Sequence, residues 1–317
     1  MRLLHLGLIA LLCLLGTLTL ATEEINPPDH PFLWRISGID GGPDSFAFGT
    51  IHLSDPQVTT FHPQVLAALE AADVTYTEIP MGPADMAEMM MAAYLPAGQR
   101  LSTLLPAELQ QQLDRELRLI NRHLSLVQFD RIKVWAIAAS IWVLENEMKH
   151  AGKPSVDLIV WREGQQEGKE SRALETIADQ LAIFDNMPMN EQLDMLRETL
   201  ELRAQLREEG RDALQELIAF YRAGRTDNFD EYLELFGFNS EDEQSLKFMD
   251  KLLGQRNVQM VEKMVKHMRA EPDRVHFFAA GAAHFIDADD GIPALLRQAG
   301  VEIERLLPPP VLEAATP

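Results

Sequence analysis

The chain has 317 residues, of which 49 are Asp or Glu and 28 are Lys or Arg, so its formal net charge is −21. This acidic excess argues against binding to nucleic acid or to anionic membrane surfaces, because their phosphates would repel it. The single cysteine, Cys13, lies in an apolar N-terminal stretch. The rest of the chain can therefore form no disulfide and can offer no thiolate to a metal.

Residues 1–21 have the pattern of a secretory signal peptide. Arg2 provides the positive start, residues 3–20 are predominantly apolar, and Thr19-Leu20-Ala21 resembles a cleavage site. We therefore expect an exported protein, periplasmic or secreted, whose mature chain carries a net charge of 27 − 49 = −22. An uncleaved leader is the alternative, and it would anchor the chain in a membrane, since it is almost long enough to span one.

The first part of the mature chain predicts a β-hairpin at 31–49, followed by a short helix at about 63–72. The β-branched and aromatic run Val74-Thr75-Tyr76-Thr77 predicts a strand that ends at Glu78. The order strand, His52, helix, strand, Glu78 is that of a βαβ unit with neighbouring parallel strands. Glu78 should then lie near His52.

A long, mainly helical insertion is predicted between about residues 83 and 271. Its helices are expected at about 106–120, 132–144, 156–162, 190–222 and 229–236, and a short strand at 171–174 places Glu175 at its end. Ser240 and Glu243 form a capping box that predicts the start of the last long helix.

Arg256 and Asn257 interrupt the apolar seam of that last helix, which runs through Met249, Leu253 and Met260. A buried arginine must be paired with an anion. Arg256 is therefore either half of a structural salt bridge or a site residue that faces an anion.

The end of the chain repeats the plan of its beginning. A strand is expected at 275–278, a helix at 291–298 and another strand at 301–304, before a Pro-rich tail at 308–317 that we expect to be disordered. The fold class predicted is α/β (mixed α+β). Its central, mainly parallel sheet would be built from two βαβ-type halves within a single domain over 22–307.

One ten-residue pattern occurs in both halves. Residues 46–55 and 278–287 each read F-A-x-G-x-x-H-x-x-D. Gly49 and Gly281 permit a close approach of the backbone at the end of each strand. His52 and His284 follow just beyond, at the edge where open α/β sheets bind ligands. Each histidine by itself could be a neutral imidazole bonded to a carbonyl, but the repeat favours a shared site, either a metal site or an acid/base pair.

Taken together, these residues resemble the TraB/PrgY/GumN family, which includes the TIKI metalloproteases and is similar in fold to erythromycin-esterase/ChaN-like proteins. The resemblance covers nearly the whole mature chain and is carried by Phe48-Gly49-Thr50-Ile51-His52, Glu78, Leu174-Glu175, Arg256-Asn257 and Gly281-Ala282-Ala283-His284. It implies a mixed α/β core with a helical insertion. It also implies a divalent-metal-dependent peptidase activity, with His52, Glu78 and His284 as the metal site.

The chemistry of these side chains agrees with that implication. Two neutral imidazoles and one carboxylate can hold a divalent ion and leave a position for water. The resemblance implies Mn or Co as the ion, and Zn is a further candidate. Arg256, with Asn257 beside it, could stabilise an oxyanion or hold a substrate carboxylate. If Glu78 binds the metal, a separate general base is needed, and Glu175 is the candidate.

Two other classes of function remain open at this stage. The protein could bind a peptide or a small molecule without turnover, as a pheromone-shutdown protein would. It could instead bind haem or iron through His52 or His284, as ChaN-like proteins do.

Overall fold

The computed structural model describes residues 25–226, 243–286 and 289–308. Several expectations lie outside these residues: the leader at 1–21, the helix at 229–236, Ser240 of the capping box, Asp287 of the second ten-residue pattern and the tail beyond residue 308.

Within the described residues, six strands form one sheet in the order β4-β3-β5-β2-β1-β6. Their bounds are β1 Leu33–Ile36, β2 Ser45–Thr50, β3 Val74–Thr77, β4 Glu170–Ala173, β5 His276–Gly281 and β6 Ile303–Leu306. β2 and β3 both pair in parallel with β5, and β4 pairs in parallel with β3. β1 is antiparallel to both β2 and β6. The predicted mixed α/β class, with a mainly parallel sheet, is therefore confirmed.

The expected neighbours within each half of the sheet are wrong. β5 lies between β2 and β3, and two strands separate β5 from β6. The reason is burial: five of the six residues of β5 are fully buried, which suits the centre of a sheet covered on both faces. The local order of strand, helix and strand sets the direction of the two strands, but it does not exclude a third strand between them.

The helices occupy both faces of the sheet and the long insertion. They are α1 Pro56–Thr59, α2 Pro63–Ala71, α3 Pro83–Ala92, α4 Leu101–Leu104, α5 Ala107–Ile120, α6 Leu126–Phe129, α7 Val134–Ser140, α8 Leu144–Lys149, α9 Val156–Glu163, α10 Ile177–Asp185, α11 Met189–Glu208, α12 Ala213–Ala223, α13 Glu243–Met249, α14 Gln255–Ala270 and α15 Ile292–Gln298. In the described part of the chain, no helix combines the length and the apolar character needed to cross a membrane.

The insertion has an apolar core of its own. The predicted stripe of α5 is buried there, with Leu109, Leu113 and Leu117 at most 2% exposed. Beside it, the buried carboxylate of Glu116 accepts hydrogen bonds from Arg203 (2.7 Å) and Arg207 (2.6 Å) of α11. These bonds fasten α5 to α11.

The single helix expected at 132–144 is divided in two. Ile132 forms an antiparallel bridge with Tyr94, and the amide of Lys133 donates to the carbonyl of Ala93. The bridge and the Lys133 hydrogen bond hold the chain extended, so α7 begins only at Val134. A turn then separates α7 from α8.

The last long helix contains a π-helical turn at Asp250–Gly254, between α13 and α14. Its predicted seam is buried on both sides of this turn, from Met249 to Met268. Arg256 and Asn257 follow the turn directly and are also buried. Such π turns occur frequently at functional sites, and this one delivers two polar side chains to the sheet edge.

Candidate metal centre

The ends of three neighbouring parallel strands bring the predicted site residues together. His52 lies two residues beyond β2, Glu78 follows β3 directly, and His284 lies in a 3₁₀ turn, Ala282–Phe285, that follows β5. Because β5 pairs with both β2 and β3, its end lies between the other two. The three side chains therefore meet at one edge of the sheet.

Both imidazoles approach the same carboxylate oxygen. Nε2 of His52 is 4.0 Å from Oε1 of Glu78, and Nε2 of His284 is 3.8 Å from that oxygen. The side chains of Glu78 and His284 are 5% and 3% exposed, whereas that of His52 is 67% exposed. His52 lines the cavity, where solvent reaches its ring.

The orientation of the His52 ring is fixed by Asp157 in the first turn of α9. Oδ2 of Asp157 lies 2.8 Å from Nδ1 of His52, and Oδ1 accepts a bond of 2.6 Å from the hydroxyl of Thr50. An ionised carboxylate can only accept, so Nδ1 of His52 carries the proton that it donates. Nε2 is then directed toward Glu78.

The ring of His284 is held in the equivalent way by Asn257. The amide nitrogen of Asn257 donates to the carbonyl of Asp290 at 2.8 Å, which leaves Oδ1 of Asn257 to accept from Nδ1 of His284 at 2.5 Å. Hydrogen bonding of one imidazole nitrogen to fix the other as a ligand is the usual arrangement around protein-bound metals. Here it applies to both histidines.

Glycine at position 281 keeps space open between the candidate ligands. The amide of Gly281 donates to Oε1 of Glu78 at 2.5 Å. A Cβ at this position would lie 3.1 Å from Oε1 of Glu78, 3.7 Å from Nε2 of His52 and 3.8 Å from Cδ2 of His284. A methyl group would therefore stand against all three candidate ligands.

Glycine at position 49 has a different reason. A Cβ there would lie 2.7 Å from Cβ of Phe32 and 3.2 Å from Cα of Ala282. Gly49 thus allows β2 to pass close to its neighbours, and its carbonyl accepts a 2.9 Å bond from the hydroxyl of Tyr221.

Arg256 links two buried carboxylates. Its guanidinium donates to Glu78 at 2.5 Å and to Glu175 at 2.6, 2.9 and 3.1 Å. The sequence left two alternatives for Arg256, a structural salt bridge or a site residue that faces an anion. Both hold, because its salt bridges lie inside the site. Glu175 stands behind Arg256, is 5% exposed, and is absent from the described lining of the cavity.

Glu78 is ionised although it is buried. Burial alone would raise the pKa of this carboxyl, but the charges of His284, Arg256 and His52 and the amide of Gly281 hold the pKa at about 2. A carboxylate ligand is therefore available at any ordinary pH.

The two histidines differ in their affinity for a proton. The carboxylate of Asp157 raises the pKa of His52 to about 9. Burial lowers the pKa of His284 to about 4. In the absence of a metal, His284 is therefore neutral at pH 7 and His52 holds a proton that a metal ion would have to displace.

The candidate donor atoms stand slightly farther apart than the ligands of a bound divalent ion. Within the described ranges, no three His, Cys, Asp or Glu side chains are already close enough to hold a metal as they stand. Ligand atoms around a tetrahedral ion about 2.1 Å away would be about 3.4 Å apart. The observed separations of 3.8 and 4.0 Å exceed this only slightly. The three side chains would therefore have to move inward before they could hold an ion together.

Two polar residues of this site were not predicted. Asp157 interrupts the apolar run Val156–Trp161, and the same reasoning that singled out Arg256 would have found it. Gln180, whose amide donates to Oε2 of Glu78 at 2.8 Å, lies in a helix without any distinctive pattern. Asp55, the last residue of the first ten-residue pattern, caps α1 and accepts from the amide of Gln57.

Similar proteins include three metalloproteases. Metalloprotease TIKI2 of Danio rerio is 25% identical over 326 residues, covering 88% of this chain and 61% of the relative. Metalloprotease TIKI1 of Danio rerio is 25% identical over 314 residues, with coverages of 87% and 63%. Metalloprotease TIKI2 of Xenopus tropicalis is 24% identical over 340 residues, with coverages of 93% and 62%. The chain thus spans less than two thirds of the length of these relatives.

No solved structure matches the chain significantly. The family assignment rests instead on the sequence. The matching region runs from the first strand to the last and includes the strand ends and helices that form the candidate metal centre. The model of the TraB/PrgY/gumN family matches residues 32–305, and the chain belongs to that family.

Proposed function

We propose that this protein is a divalent-metal-dependent hydrolase that cleaves peptide bonds, with His52, Glu78 and His284 as its metal ligands. The observation that carries the proposal is the approach of two oriented Nε2 atoms to one oxygen of a buried carboxylate. The similarity to proteins named metalloproteases supports the same reading. Mn, Co and Zn are the candidate ions, since imidazole and carboxylate ligands suit all three.

The ion would lower the pKa of a water molecule and polarise the scissile carbonyl. The chain's own residues would prepare the site for this chemistry. Asp157 and Asn257 hold the two rings in place, and Gly281 leaves room between them. Arg256 lines the cavity, and stabilisation of a substrate oxyanion by its guanidinium would compete with its bonds to Glu78 and Glu175.

The role of Glu175 has two alternatives. Proton transfer by Glu175 stays a prediction. It requires the carboxylate of Glu175 to release Arg256 and to turn into the cavity. The observed contacts favour a positioning role, because both carboxylate oxygens accept from Arg256. In that role Glu175 acts through Arg256 and does not touch the substrate.

A peptide or small-molecule binder without turnover would use the same cavity. Metal content and hydrolysis of a peptide together separate the two functions, because a plain binder needs neither.

We also propose that the protein is exported and that its mature form begins at Thr22, following the pattern of residues 1–21. The intact mass of the protein recovered from its native compartment should lack residues 1–21. A mass that includes Met1 would indicate a retained membrane anchor instead.

Replacing either histidine should remove the metal and leave the fold intact. We expect His52→Ala and His284→Ala each to lose most of the bound divalent ion, because each removes one of three ligands. Elemental analysis of untagged protein measures the occupancy, and circular dichroism checks the fold. His123→Ala, at an exposed histidine of the insertion, is the matched control and should keep its metal. Full occupancy in both site variants would contradict the shared centre.

Gly281→Ala should weaken metal binding by narrowing the space between the ligands. Its methyl group would stand 3.1 Å from Oε1 of Glu78, so the carboxylate and the rings could not close on an ion. We expect at least a tenfold loss of affinity, of the order seen when the surroundings of metal ligands are disturbed. In the control Gly82→Ala, the new methyl meets only the flexible carboxylate of Asp85 and should leave affinity unchanged. Equal affinities in the two variants would place the metal elsewhere.

The two carboxylates held by Arg256 should behave differently. Glu78→Gln should lose metal and hydrolysis together, whereas Glu175→Gln should keep the metal and lose roughly 10²–10⁴-fold in turnover if Glu175 is the general base. Turnover is followed with a peptide library and added Mn, Co or Zn, with metal occupancy measured in parallel. The matched control is Glu116→Gln, which weakens another buried Glu–Arg pair away from the cavity and should lower stability without changing turnover.

The pH profile separates the two roles of Glu175. Loss of a general base removes the acidic limb of the rate profile, whereas loss of a positioning residue lowers the rate and leaves the limb in place. If the Glu78→Gln variant binds metal normally but is inactive, the roles are exchanged: Glu78 is then the general base and Glu175 the metal ligand.

A further inference from the structure

The candidate metal centre occupies only a small part of the cavity that contains it. The cavity has a volume of about 730 Å³. Ligand pockets of roughly 300–1,000 Å³ enclose most of a drug-sized molecule, so this one is far larger than an ion and a water need. The remaining space must suit part of the substrate.

The helical insertion supplies most of the walls around this space. The wall residues that it contributes are largely apolar and include Trp142, Leu181, Phe184, Leu202, Phe220 and Phe248. They come from α10, α11, α12 and α13 and from the turn between α7 and α8. The sheet edge carries the polar groups that would act on the substrate. The cavity therefore has two parts. Its floor is the sheet edge with the candidate metal centre, and the rest is an apolar chamber lined by the wall residues just named.

The charges in the lining disfavour an anionic occupant. Among the described lining residues, Arg256 is the one basic side chain besides the two histidines, and it is already bonded to Glu78 and Glu175. Glu201 of α11 places a further carboxylate in the wall. The two propionates of a haem would need basic partners, and among these residues Arg256 is already bonded to carboxylates. An acidic side chain would meet the same obstacle, whereas an uncharged apolar one gains by leaving water.

We propose that the chamber binds a large apolar side chain, such as Phe, Leu or Met, next to the peptide bond to be cleaved. This inference rests on the proposed hydrolase function and names its substrate class. Leu181 and Leu202 are the specificity-determining residues best suited to a test. Both are half-buried and line the cavity, and neither is among the described members of the apolar core clusters.

Binding can be measured without hydrolysis. We would titrate metal-free protein with peptides that are identical except for one central residue, Phe, Leu, Ala, Asp or Lys, and that carry an N-methylated, uncleavable bond beside it. Calorimetry should show the Phe and Leu peptides binding about 10-fold to 100-fold more tightly than the Ala peptide, as expected for burial of a large apolar side chain. Equal affinities, a preference for Lys, or haem absorbance in the purified protein would each overturn the proposal.

Two variants test the position of the chamber. Leu181→Asp and Leu202→Asp should each reduce the advantage of Phe over Ala to less than about threefold, because a carboxylate would be buried against the aromatic ring. The control is Leu119→Asp, at a side chain that is 55% exposed on α5 and outside the cavity, and it should leave the preference unchanged. Melting temperatures identify a variant that fails to fold, and the second leucine then provides the test. A full Phe preference in both folded variants would contradict the assignment.

The cleavable peptides distinguish failure of this inference from failure of the hydrolase function. With metal restored, hydrolysis should follow the same order as binding. A preference for Phe in binding with no hydrolysis would keep the apolar chamber and contradict the enzyme. Hydrolysis that is indifferent to the central residue would keep the enzyme and contradict the chamber.

Discussion

The negative charge buried on Glu78 is the constraint on which the rest of the site depends. Removing a carboxylate from water costs several kcal/mol unless protein groups replace the lost hydration. Here the amide of Gly281, the side-chain amide of Gln180 and the guanidinium of Arg256 replace it. Arg256 is itself buried, and its second carboxylate, Glu175, balances it further. A strand end, two helices and a loop are thereby held around one charge, and loss of the Arg256 guanidinium would cost about 3–5 kcal/mol.

The two histidines use unequal supports, and this gives the site an asymmetry that the repeated sequence conceals. Asp157 is a charged partner, and it raises the proton affinity of His52. Asn257 is a neutral partner that orients His284 in a buried position where a proton is disfavoured. One ring is thus exposed toward the cavity and the other is fixed in the protein interior. The two copies of the pattern therefore supply the same atom to the site in different electrostatic environments.

The helical insertion does more than cover the sheet. Arg256 and Asn257 enter the site because a π turn precedes them in the last long helix, and Gln180 enters from α10. The same insertion provides the apolar walls of the cavity. The two side chains that bond to Glu78, Gln180 and Arg256, and most of the apolar cavity wall thus come from one part of the chain. A change in the packing of these helices would be expected to affect both.

The sequence by itself determined the strands, most of the helices, the mixed α/β class and the residues that meet at the sheet edge. These features follow from local patterns: short apolar runs that end at Gly49 and Gly281, and an arginine inside an apolar seam. Tertiary structure decided what local patterns cannot express. It placed β5 between β2 and β3, so that the amide of Gly281 reaches Glu78, and it turned Glu175 toward Arg256. It also brought Asp157 to His52 across 105 positions of sequence. The physical reason is that strand order and the pairing of buried charges depend on which distant segments pack together. The local periodicity of a sequence does not predict those contacts.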